Sequence, residues 1–477
     1  MIYGSERAGT ASAGARLVAR ARVSLALLRT EAVVGSPALA RVGLITIAMA
    51  LQMTVLFLPG HFRPAPNVLF AILVPLGTLA SLAVSLFAGL SLKRICSLRV
   101  RQALAAAAFA GLAILSVVGL WEGFMGVRAM VQGTPYGNDG AVMDLFAAQQ
   151  VRHGHNPYLE INIVSALAAI NAPATTTTPK MDGQFRGARV YPSEAAVRHA
   201  FLSELLHRAS RSVPTPPEFE SKYNYPAGSF LFILPFVWAG LHDMRFLYGL
   251  ALLAMGAYIW WRMPRTLRPL VPLLLLADVP MVILTTSGQP DPLYGLFLLI
   301  AYAEWPTPWV SPFAMGLALG TKQLAWFFLP FYLALVVRHF GWRQAARRSV
   351  IMGALFLLLN GPFIALSPAS YFSSIAAPMT DPLFPLGIGI VALFVGNVLP
   401  MMPKLAFTIA EVGAWAAAVV ASVRVRLLVP ASAAALACLP LFFAWRSLIN
   451  YFYLAPLLTL AIVLADDRRQ ASQRVDR

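Results

Sequence analysis

Long apolar stretches alternate with short basic ones along most of this chain. Uninterrupted apolar runs occupy 42–60, 67–91, 103–126, 268–286, 349–366, 405–423, 428–446 and 452–466. Most come close to the roughly 20 residues an α-helix needs to cross the hydrocarbon of a bilayer. Shorter or interrupted runs cover 226–241, 245–262, 291–304, 309–320 and 324–337. In lipid a chain must satisfy its own backbone hydrogen bonds, so these runs are expected as helices. Segment 386–402 is apolar but glycine-rich and ends in a proline. It is expected as a re-entrant or interfacial piece, as is one half of 226–262. The pattern predicts an all-α polytopic membrane protein with about 12 spans.

Composition and charge agree. Of 477 residues, 58% are hydrophobic and 12% charged. A soluble domain carries about 25% charged residues, so there is too little polar surface here for several water-soluble cores. The net charge is +17, and 32 of the 37 basic residues are arginines. These sit in short runs between apolar spans, the pattern of the positive-inside rule. They lack the aromatic interleaving of a nucleic-acid groove, so no nucleic-acid partner is expected. The arginines assign both termini to the cytoplasm, and three crossings then leave 127–225 outside. The expected organisation is a cytoplasmic arm 1–41, two N-terminal spans in 42–102, a main body 103–466 and a cytoplasmic tail 467–477. The arm has no short apolar core followed by a cleavage site, so it does not read as a cleaved signal peptide. No internal repeat is evident. Cys96 and Cys438 fall in different environments, so neither a disulfide nor a cysteine metal site is expected.

The long polar segment 127–225 carries most of the candidate chemistry. A helix is expected over 141–153, stopped by Gly154-His155-Asn156-Pro157-Tyr158, and a surface helix over 193–211. A Thr/Pro spacer lies between them at 172–179. Asp139 and Asp144 are either solvated loop acids or a general base at the membrane surface. His153 and His155 are two residues apart without a matching third ligand, so no metal site is expected. Ser287-Gly288-Gln289-Pro290-Asp291 either caps the next helix or lines a polar cavity. Lys322 stands between two short apolar runs, and intramembrane charge is by default functional. Arg446 ends an apolar run on the side opposite the other arginines, which favours a paired, functional role. Asp278, Glu122 and Glu411 are further acids within apolar runs that need partners.

In this order the motifs resemble the GT-C superfamily of membrane glycosyltransferases, and within it glycosyltransferase family 87. The resemblance covers about 103–465. It rests on Asn138-Asp139…Ala147-Ala148-Gln149…Gly154-His155-Asn156-Pro157-Tyr158, Tyr223-Asn224-Tyr225-Pro226, Ser287 to Asp291, Lys322, and Arg446…Tyr451-Phe452-Tyr453. It implies a GT-C fold with a large first external loop carrying short amphipathic helices. It implies transfer of a sugar, mannose or another hexose or pentose, from a polyprenyl-phosphate donor to an extracytoplasmic lipid or glycan acceptor, with inversion and without cofactor or metal. The acid of the first loop would be the base. Asp139 matches it, and Asp144 is the rival one turn away. Lys322 and Arg446 would hold the donor phosphate, while His155, Asn156, Tyr158, Tyr223, Tyr225, Gln289, Asp291 and Tyr451 would line the cavity. The two spans before residue 103 and the Tyr225-Pro226-Ala227 sequence depart from the family pattern. A secondary transporter or lipid flippase is the main alternative, since broken helices and intramembrane charge suit it too. A non-catalytic membrane scaffold is the other.

The expected topology has a direct test. Cysteines introduced at Thr176 and Ser472 should label from opposite sides with an impermeant maleimide. Labelling from the same side would remove the external loop.

Overall fold

The structure is a computed structural model. It describes residues 36–59, 67–90, 92, 96–134, 138–161, 163–169, 185, 188–189, 192–207, 222–381, 383, 385–424 and 430–475. Most of the N-terminal arm, Lys93-Arg94 and the Thr/Pro spacer lie outside the described residues. The chain opens with α1 (Pro37–Phe57), α2 (Val68–Ala88) and α3 (Leu98–Val131). The polar segment 127–225 contributes α4 (Asp139–Arg152), α5 (Pro157–Glu160), α6 (Ile163–Ala169) and α7 (Glu194–His207). Short α8 (Gly228–Leu231) and α9 (Leu234–Trp238) precede α10 (Arg245–Arg262), α11 (Val271–Ala277) and α12 (Val279–Ser287). Next come α13 (Asp291–Ala303), α14 (Val310–Thr321), α15 (Leu324–Leu366) and α16 (Pro368–Thr380). The chain finishes with β1 (Leu386–Gly387), α17 (Val391–Val395), α18 (Lys404–Arg424), α19 (Ser432–Cys438), β2 (Arg446–Ser447) and α20 (Leu454–Val475).

This is the architecture of an all-α membrane protein. Among the described residues six helical stretches are long and apolar enough to cross a membrane, seven if α11 and α12 with the turn before them count as one bent span. Among the described residues the only strands are β1 and β2, paired in parallel over two residues each. On α18, Leu405, Ile409, Val412, Val420 and Val423 are exposed, a surface suited to lipid and not to water.

Several sequence expectations needed correction. The run 268–286 is not one straight helix. It bends by 64° at Asp278, whose carboxylate accepts from the Met281 amide and caps α12. The proline at 280 has no amide hydrogen to give, so a fresh helix start fits there better than an unbroken turn. The run 428–446 is not a span-length helix either. It is the seven-residue α19 and a 3₁₀ turn at Pro440–Phe443, and Arg446 stands on a strand beyond them. No loop separates 324–337 from 349–366. α15 runs through both and breaks only at Gly341, where φ is +78°. At 43 residues it would be roughly 65 Å long if straight, twice a hydrocarbon core. The break divides it into two limbs.

Other readings held. α4 covers the expected helix, and Gly154 follows its end with φ +82°. Residues 226–241 form only short, broken helices, and 386–402 holds a five-residue helix too short to cross.

The two N-terminal helices brace the end of the chain. The Gln52 side-chain amide donates to the Phe452 carbonyl at 2.9 Å, and the Thr78 hydroxyl to the Ile388 carbonyl at 3.1 Å. They therefore hold the segments on either side of the β1–β2 pair.

Two polar layers lie at opposite ends of α13 and α14. One gathers around Asp291 and Lys322, at the start of α13 and the end of α14. The other gathers around Glu304 and Trp305, just past the far end of α13. There Glu304 pairs with Arg262 and accepts from the Tyr258 hydroxyl at 2.7 Å. Arg348 donates to the carbonyls of Trp305 and Pro306 at 2.5 and 3.3 Å. With 13 residues in α13, the layers are separated by roughly 20 Å of helix.

Candidate functional site

The first layer is organised by Asp291, which is fully buried. It sits in the first turn of α13, where the helix dipole favours a negative charge. Lys322 caps the C-terminal end of α14, where the same dipole favours a positive one. Its backbone is extended, φ −149° and ψ 138°, in the break before α15. The two side chains form a buried ion pair. Asp291 also accepts from the side-chain amides of Gln289 at 3.1 Å and Asn450 at 2.8 Å, and from the Tyr453 hydroxyl at 3.1 Å. Gln289 in turn accepts from the Asn138 amide. The ammonium of Lys322 lies 5.2 Å from the ring centre of Tyr225 and 5.6 Å from that of Tyr294. Gln323 donates to the Asn224 carbonyl, which ties the helix break to the end of the polar segment 127–225.

α4 brings in both acids. Asn138 caps it by accepting from the Gly140 amide at 2.8 Å. Asp139, half-buried in its first turn, accepts from the same amide at 2.8 Å. Asp139 acts electrostatically on Arg446, as does Tyr451. Asp144 is fully buried. It accepts the Tyr223 hydroxyl at 2.6 Å, and Tyr223 also meets the Ser229 hydroxyl. Its second oxygen has no hydrogen-bond partner among the described residues. Burial raises Asp144 to about 6, against the opposing pull of the Tyr223 hydroxyl and the Lys322 charge. Asp144, Tyr225, Ser229, Tyr294, Thr321 and Lys322 line one cavity of about 230 Å³.

The predicted residues divide into three groups. Asp144, Tyr225 and Lys322 share the cavity, and Gln289 and Asp291 lie directly behind it. Asp139, Arg446 and Tyr451 form an adjoining electrostatic group. Tyr158 and Tyr223 are packing residues with polar tips. Their rings lie 5.6 Å apart, and the Tyr158 hydroxyl donates to the Tyr225 carbonyl at 2.9 Å. Asn156 caps α5, accepting from the Tyr158 amide at 3.1 Å. His155 is exposed and pairs with Gln150 at 2.9 Å. The Asn-Pro-Tyr motif thus builds a helix start and anchors a tyrosine, while His155 stays at the surface.

Sequence reasoning did not single out Asn450, Ser229, Tyr294 or Asn360. Asn450 was within reach, since it lies inside the Arg446-to-Tyr453 motif. Asn360 had no local signal. It lies mid-helix in α15 and accepts from the Ala227 amide at 2.6 Å and the Tyr371 hydroxyl at 2.9 Å. No His/Cys/Asp/Glu cluster suited to a metal occurs among the described residues.

Comparisons of the chain with family models, with curated proteins and with solved structures gave no match.

Two outcomes follow from this geometry. Lys322→Met leaves Asp291 charged and buried, and should destabilise the protein by about 3–5 kcal/mol. The double change Lys322→Met with Asp291→Asn should recover part of that loss in thermal unfolding in detergent. A single variant that melts like wild type would show that the pair contributes nothing. Asp144 governs a pH dependence. The folded state holds its proton more tightly than the unfolded chain, so stability falls as pH rises from about 4 to about 6. Asp144→Asn should flatten that stretch of the unfolding profile.

Proposed function

We propose that this chain is a membrane glycosyltransferase that moves a sugar from a polyprenyl-phosphate donor to a lipid or glycan acceptor outside the cytoplasm, with inversion. The observation that carries the reading is the buried Lys322–Asp291 pair at a cavity lined by Asp144, Tyr225 and Lys322, tied through Gln289 and Asn138 to the start of the helix that carries Asp139. An acid and a cation that act on each other electrostatically, as Asp139 and Arg446 do, suit such a transfer. The acceptor oxygen attacks the anomeric carbon, and Asp139 takes the hydroxyl proton. The bond from that carbon to the phosphate oxygen breaks, and polyprenyl phosphate leaves with the electron pair. Its growing charge is met by Arg446. Lys322 is already neutralised by Asp291, so it joins only by exchanging that carboxylate for the donor phosphate. Asp144, buried and hydrogen-bonded to Tyr223, is a poorer base for an incoming hydroxyl and serves the sugar side of the cavity. The bent α11–α12 pair with its buried Asp278 favours a second reading, a transporter or flippase.

Transfer from a radiolabelled polyprenyl-phosphate sugar, measured with the protein in nanodiscs, separates the two. Asp139→Asn should lower turnover about 10²–10⁴-fold with donor binding retained. Movement of lipid between leaflets without any transfer would support the second reading. Loss of activity in Asp144→Asn but not in Asp139→Asn would exchange the roles of the two acids.

A further inference from the structure

We propose that a slot between the first limb of α15, α18 and α19 binds an anionic membrane phospholipid, its headgroup phosphate on Arg338 and its acyl chain along Phe331, Leu335 and Leu436. The slot has a volume of about 310 Å³. Its walls are apolar, and its polar side chains are Arg338 and Ser422. The Ser422 hydroxyl is occupied, donating to the Val419 carbonyl at 2.7 Å. Arg338 is exposed, and among the described residues it has no hydrogen bond or ion pair. Its neighbours in the same layer differ. Arg262 is paired with Glu304, Arg268 donates to the Trp261 and Met263 carbonyls at 3.2 and 3.3 Å, and Arg348 is buried on Trp305. A free guanidinium at the mouth of an apolar slot fits an amphiphile with a negative head.

The depth of the slot identifies the source of that amphiphile. Arg338 precedes His339, whose ring lies 4.7 Å from that of Trp305. It therefore belongs to the second polar layer, the one that the arginine distribution assigns to the cytoplasmic side. Trp260, Trp261, Trp309 and Trp342 are exposed around this layer. Arg262, Arg268 and Arg347 stack over the first three of these within 4.1–4.6 Å of a ring centre. Exposed tryptophans and arginines at one level mark the headgroup region of a bilayer, where anionic lipid is at hand. The site lies at the other end of α13 and α14 from Asp291 and Lys322, and the inference stands without the proposed transfer.

The test uses the full chain in nanodiscs of phosphatidylcholine alone or mixed with phosphatidylglycerol, with retained lipid counted by native mass spectrometry. Wild type should retain phosphatidylglycerol about fivefold over phosphatidylcholine, the effect of one arginine at a charged surface. Arg338→Gln should lose that preference and Arg338→Lys should keep most of it. Ala433→Phe, which fills the slot, should lower retention of both lipids. If that variant fails to fold, the surface change Arg338→Gln still decides. Unchanged retention in Arg338→Gln, or in a folded Ala433→Phe, would overturn the site. Release of the lipid by inorganic phosphate alone would overturn a phospholipid as its occupant.

Discussion

The ion pair between Lys322 and Asp291 constrains everything around it. Charge in the interior of a membrane protein is costly unless it is paired and hydrogen-bonded. Here one helix must begin and another must end at the same depth, because each contributes the dipole that suits its charge. Asp291 then needs further donors, one from two residues upstream and two from a distant part of the sequence. Gln289 arrives from the turn after α12, and Asn450 and Tyr453 from the approach to α20. Gln289 passes the connection on to Asn138 at the start of α4. Four stretches of chain are drawn to one point around a single carboxylate.

From that point the two acids of α4 acquire different characters. Asp139 stays half-exposed at the helix start and feels Arg446. Asp144, one turn further on, is sealed beneath Tyr223 and Ser229 and is harder to ionise. Five residues of helix, roughly 7.5 Å, are enough to take a carboxylate from a half-buried to a fully buried position.

The opposite layer has another physical logic. Its charges are mostly arginines, several spread on tryptophan rings at the surface, and its few acids are tied up internally. Such a layer fixes the depth of the bundle in a bilayer and leaves the buried pair at the other end of α13 and α14. The broken helices fit this division. α8, α9 and α17 are short and irregular where they border the first layer or the segments that support it. Irregular backbone at membrane depth is tolerated where protein encloses it.

Much of the fold was legible because hydropathy acts locally. A run such as 405–423 can bury itself only in lipid or a core, so a helix over Lys404–Arg424 follows from those residues alone. The break at Lys322, the stop at Gly154 and the non-crossing segment near 390 were readable for the same reason, since charge, glycine and proline interrupt helices by local rules. The bend at Asp278 and the loop-free passage through 338–348, broken only at Gly341, were not. Apolar residues permit either a straight or a bent path, and the choice depends on which partners lie alongside. The site was half legible. Asp139, Asp144, Gln289, Asp291, Lys322 and Arg446 stood out as polar residues at the ends of apolar runs. That Lys322 takes Asp291 as its counter-ion, that Asp144 is buried while Asp139 is not, and that Asn450 and Asn360 matter at all, was decided only by the tertiary structure. Those pairings join residues tens to hundreds of positions apart, and no periodicity in a sequence records which distant donor will reach a buried carboxylate.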